Sequence, residues 1–73
     1  ILIQDDVIDP IEYILTVTDT LGNVVFTETY LDEFSLRHDF GDTIGVFDIE
    51  IIAIYSYENN TYEDVIFYQE AQN

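Results

Sequence analysis

The sequence predicts an all-β fold, an antiparallel sandwich or small barrel. Three observations carry that expectation. Apolar and polar residues alternate with period two in several stretches, most plainly in "VFDIEIIAIYSY" at residues 46–57. Clusters of Asp, Asn, Gly and Thr suited to turns separate these stretches. No segment carries a convincing helical period.

The elements follow in chain order. Residues 1–10 open with the apolar run Ile1-Leu2-Ile3, which reads as an N-terminal strand ahead of a core at 11–68 and a tail at 69–73. Tyr13, Leu15 and Val17 alternate with Ile14, Thr16 and Thr18, and Asp19-Thr20-Leu21-Gly22-Asn23 supplies turn chemistry before Val24–Tyr30, so these segments read as a hairpin. Asp32-Glu33 is a polar break, Phe34-Ser35-Leu36 a short expected strand, and Asp39-Phe40-Gly41-Asp42 with Gly45 a longer turn. In the next strand Phe47, Ile49, Ile51, Ala53 and Tyr55 share one side, with Val46, Asp48 and Glu50 on the other. Ile52 and Ile54 then stand where further polar residues are due. Glu58-Asn59-Asn60-Thr61 turns the chain into a last strand, Tyr62–Tyr68, for five or six strands in all.

Composition bounds what such a fold can do. At 73 residues there is room for one domain, and a chain of this size buries only about 60% of the surface its unfolded form exposes. Cysteine is absent, so the core, a metal or another chain must offset the ordering cost. The apolar fraction of 48% is too high for a disordered acidic tail despite the formal charge of −15. Sixteen carboxylates face the single cation Arg37, which disfavours direct binding to nucleic acid or anionic lipid. No apolar run is long enough for a membrane span, and no basic leader precedes one. The start at Ile1 suggests a processed chain or a piece of a longer one.

Two stretches resemble the fibronectin type III and related immunoglobulin-like modules over residues 11–68. "EYILTVTDTLGNVVFTET" looks like the family's third strand, its turn and the next strand, and "FDIEIIAIY" like its aromatic-x-aliphatic-x-aliphatic-x-Ala strand. Phe47 stands where the family usually has a tyrosine that ties down a corner. No tryptophan appears in "ILIQDDVIDP", where the second strand would carry one, and the first strand is missing. The resemblance therefore implies an incomplete immunoglobulin-like or fibronectin type III-like β-sandwich, completed by strand addition from the rest of a longer chain or from a neighbouring subunit. Ile1, Leu2 and Ile3 could equally be a strand lent onward, a head-to-tail exchange that builds a filament. Ile52 and Ile54 are either roofed by a local loop or long side chain, or belong to a partner-binding face; Val24 or Ile14 beside them would favour the second.

Chemical constellations are scarce. Ser35 and His38, three apart along an expected strand, fall on opposite faces, which leaves His38 as a surface residue beside Arg37. "DFGD" at 39–42 matches a kinase tripeptide by letters only and reads as a turn centred on Gly41. An enzyme is not expected. Calcium is the most credible cofactor, through Asp5, Asp6 and Asp9 first and Asp39 with Asp42 next, although neither group has the spacing of a self-contained calcium loop. Asn59 opens an N-x-T glycosylation acceptor, relevant if the chain is secreted.

The expected function is a non-enzymatic structural or adhesive module, extracellular or at the cell surface, whose partners are copies of itself or neighbouring modules of the same polypeptide. Two alternatives stay open: an acidic DNA mimic that inhibits a DNA-binding protein, which needs ordered rows of carboxylates on one face, and a calcium-binding immunoglobulin-like adhesin module. A surface adapted to high external salt would explain the same charge without any partner.

Overall fold

A computed structural model describes residues 9–73. Four antiparallel strands form one open sheet: β1 (Glu12–Asp19), β2 (Val24–Tyr30), β3 (Val46–Tyr57) and β4 (Asn60–Gln72), in the order β2-β1-β3-β4. The all-β expectation holds. Among the described residues there are four strands in one sheet, fewer than the expected five or six.

The register fixes two faces. Tyr13, Leu15 and Val17 of β1 stand opposite Ala53, Ile51 and Ile49 of β3, and opposite Tyr30, Glu28 and Phe26 of β2. This inner face holds most of the core: Tyr13, Leu15, Val17, Phe47 and Ala53 are buried. Each large apolar side chain hidden there stabilises the fold by roughly 1.5–3 kcal/mol. The outer face carries Ile14, Thr16 and Thr18 with Ile52, Glu50 and Asp48.

Two irregularities bend the sheet. Between β1 and β2 the register shifts at Val17/Thr18, where Phe26 and Val24 are the partners and Val25 is the extra residue. Between β3 and β4 it shifts at Ile51/Ile52, leaving Ile66 between the partners Val65 and Phe67. Such bulges increase local twist and interrupt the ladder.

Both hairpin turns follow from local chemistry. The Asp19 carboxylate accepts the backbone N–H groups of Leu21 and Asn23, each at 2.9 Å, and Gly22 takes φ +84°. Glu58 and Asn59 both have positive φ, as a two-residue turn that matches strand twist requires. The last strand outruns its expected limits of Tyr62–Tyr68. It begins at Asn60 and continues to Gln72, and Asn73 still exchanges two backbone hydrogen bonds with Gly45. Residues 69–72 are therefore strand and not tail.

The segment between β2 and β3 brings two corrections. Phe34-Ser35-Leu36 is not a strand: Glu33–Ser35 form a single 3-10 turn, because the Asp32 carboxylate accepts both the backbone N–H of Ser35 at 2.9 Å and its hydroxyl. His38 is not a surface residue but half-buried, its ring 4.3 Å from that of Phe26 and 4.5 Å from that of Phe40. Phe40 continues the run onto Phe47 at 5.0 Å. Alternation in this segment thus packs the rings against the sheet instead of extending it. The Tyr30 hydroxyl donates to the Arg37 carbonyl at 3.0 Å, and Gly41, at φ +59°, turns the chain while its N–H bonds the Asp39 carboxylate.

Candidate interaction surface

The inner face is only partly roofed. Leu36, His38 and Phe40 lie over Leu15, Ile49 and Ile51, leaving a cleft of about 180 Å³ with Arg37 at its lip. The same roofing segment turns other apolar side chains outward: Leu31 is 79%, Phe34 92% and Ile44 87% exposed. Toward β4 the inner face stays open, and Tyr62 and Phe67, partners of Tyr55 and Ile51, are half-exposed.

On the outer face Ile14 and Val65 flank Ile52 directly across the ladder, so an apolar row spans β1, β3 and β4 and ends at Thr29 of β2. Ile14 is the neighbour that makes it; Val24 pairs with Thr18 at the other end. Ile54 is buried and sits between Glu12 and Glu63, whereas Ile52 is half-buried. Ile1, Leu2 and Ile3 lie outside the described residues.

The acids divide between the faces. Glu12, Asp48, Glu50, Glu63 and Glu70 occupy the outer face, while Glu28 and Asp64 are in register with inner-face residues. Tyr68 faces Glu50 across the ladder, with the opposed pair Asp48 and Glu70 two residues along on the same face. The Asp48 charge first, then burial, holds the Tyr68 phenol above its ordinary pKa of 10.0. Tyr13 is raised too, by burial first and then by the charge of Glu33. Asp19 moves the other way, its carboxylate held below 3.8 first by the Asn23 backbone N–H.

The remaining expected site residues are scattered. Asp9 is exposed, and Asp5 and Asp6 lie outside the described residues. Among the described residues no group of three His, Asp or Glu side chains converges as metal ligands would. Ser35 bonds Asp32 and does not meet His38, whose ring packs tilted against Phe26 and edge-on to Phe40. Asn59 is exposed at the tip of the β3–β4 turn.

The surface itself is not among the sequence expectations: nothing in the local pattern marks Leu31, Phe34 and Ile44 as exposed, and the β4 aromatics read as ordinary strand positions. The nearest thing to a signal is apolar residues inside a segment rich in turn-formers. No helix among the described residues is long and apolar enough to cross a membrane. No family model matches the chain, and neither a curated protein nor a solved structure matches it.

Proposed function

We propose that this chain is a non-enzymatic structural or adhesive module of an extracellular or cell-surface protein, built as part of an immunoglobulin-like or fibronectin type III-like sandwich and completed by an extended segment from a neighbouring module or another copy. One observation carries the reading: Leu31, Phe34 and Ile44 are almost fully exposed beside a half-roofed inner face. Large apolar side chains held in water beside an open apolar cleft are what an interaction surface presents.

Strand order supports the architectural part. In immunoglobulin-type sandwiches the C strand lies between C′ and F, and F lies beside G. Taking β1 as the family's third strand makes β2-β1-β3-β4 that same order. The 31–45 segment then occupies the side where the opposing sheet belongs, with Leu36, His38 and Phe40 as its contribution to the interior.

The mechanism is backbone pairing along an open edge together with burial of the exposed apolar side chains. Size-exclusion chromatography with light scattering tests it. Where the neighbour is another copy, concentration-dependent assembly is expected, and Leu2→Asp abolishes it if residues 1–3 are the donor. A stable monomer that unfolds cooperatively at all concentrations and takes up no extended segment would sink the reading.

A further inference from the structure

We propose that the outer edge of β4 between Phe67 and Gln72 is a docking site for an extended segment of a partner that alternates basic and apolar residues, and not for another copy of this acidic chain. The inference rests on the module reading and names its partner chemistry.

The backbone sets the geometry. Gly45 and Asn73 exchange both hydrogen bonds, at 3.2 and 2.9 Å. Antiparallel pairs alternate between bonded and non-bonded. With Phe47↔Ala71, Ile49↔Gln69 and Ile51↔Phe67 two residues apart in the same ladder, those pairs are the bonded ones. Tyr68, Glu70 and Gln72 therefore direct their N–H and C=O groups away from β3. Among the described residues no strand lies on that side.

Past Phe67 this edge carries few of the usual protections. Natural edges are kept short or carry charges, proline or bulges. β4 spans 13 residues without proline, and its inner-face Asp64 and the bulge at Ile66 lie short of Phe67, which leaves Glu70 as the one charge between Phe67 and Gln72. The β2 edge is the weaker candidate, with only 7 residues.

Charge selects the occupant. On the outer face Glu70 lies at the edge itself, and one strand in Glu50 stands directly opposite Tyr68, with Asp48 diagonal to it and opposite Glu70. A strand added here places alternate side chains beside Tyr68 and Glu70. Lysine or arginine at those positions gains opposite-charge pairs, and a cation over the Tyr68 ring adds to them. A second copy would bring its own acids to the same place, with one cation in the whole chain. On the inner face the added strand's intervening residues fall beside half-exposed Phe67, which favours valine, isoleucine or tyrosine there.

The test uses the full chain, labelled for NMR hydrogen exchange, with three short capped peptides: alternating lysine and valine, alternating glutamate and valine, and the lysine peptide interrupted by proline. At a hundred times its dissociation constant the lysine–valine peptide should slow exchange at the amides of Tyr68, Glu70 and Gln72 by about a hundredfold. The other two should not. Tyr68→Pro removes an outward N–H without touching the β3 ladder and should abolish the protection, and Glu70→Pro repeats the test one outward position along. Glu70→Lys should weaken the lysine peptide by roughly twofold to fivefold. Binding of the lysine peptide without protection of these amides, equal protection by the glutamate peptide, or protection already present in the chain alone overturns the proposal. Protection absent with every peptide while light scattering still reports self-assembly overturns this edge assignment only; a monomer that binds no peptide overturns the module reading with it.

Discussion

The central strand β1 and the edge strand β4 are written in the same residue types and have opposite fates. Tyr13, Leu15 and Val17 of β1 are buried, whereas Tyr62, Val65, Phe67 and Tyr68 of β4 are 40–63% exposed. Strand pairing is not the difference, since β4 has the longer ladder with β3. What differs is the number of neighbours. β1 is flanked on both edges and roofed by Leu36, His38 and Phe40, while β4 has one flank and no roof among the described residues. A β-branched or aromatic run therefore specifies a strand and leaves its burial to whatever packs on it.

Truncating the buried face of β1 should destabilise the fold far more than truncating the same face of β4. Leu15→Ala should cost about 3 kcal/mol in urea unfolding, because it removes buried methyl groups and leaves a cavity under Leu36. Phe67→Ala in β4 should cost about 1 kcal/mol or less, since that ring keeps much of its surface in water. Equal losses would mean that β4 is roofed in solution, as the proposed partner strand would roof it.

A smaller effect sharpens the role of the turn that joins β3 to β4. Asn59 holds φ +67° in the two-residue turn. Asn59→Gly should raise stability by about 0.5–1 kcal/mol in the same unfolding experiment, since glycine adopts that conformation without strain. A loss of stability would show that the Asn59 side chain has a role of its own.

The pH effects are smaller still and run in opposite directions at the two ends of the scale. Asp19 has a lowered carboxyl pKa, so its contribution is present above about 3.8 and fades as the pH falls through the lower folded value. Acid titration of the melting temperature should show a shallower fall in Asp19→Asn than in the natural sequence. Tyr13 and Tyr68 have raised phenol pKa values, so the unfolded chain ionises first and stability declines as the pH climbs past 10.0. Asp48→Asn should bring the Tyr68 phenol down toward its ordinary value, followed by NMR, while leaving Tyr13 in place. An unmoved Tyr68 would separate it from the acidic group on which the proposed docking edge depends.

Much of the fold was legible because its signals are local. Alternation in β1, β2 and β3, the Asp19–Asn23 and Glu58–Thr61 turns, and the grouping of Phe47, Ile49, Ile51 and Ala53 on one face all follow from period-two geometry and turn chemistry. The 31–45 segment was misread where local and long-range forces compete. Phe34-Ser35-Leu36 alternates like a strand, but the Asp32 carboxylate captures Ser35 and turns the chain, and His38 exchanges an exposed position for packing between the rings of Phe26 and Phe40. The candidate surface was legible only in fragments. Ile14 beside Ile52 depends on register, and the exposure of Phe34 and Ile44 depends on where the roof ends.

Antiparallel strands with an acidic surface are written in the sequence alone, because side-chain periodicity, turn residues and net charge act over a few residues or over the whole composition. Folding in three dimensions settles which strands lie in the middle, which lie at the edges of the described sheet, and which apolar residues stay wet. Those outcomes depend on pairings between residues far apart in the chain, and a short window of sequence carries no record of its partner.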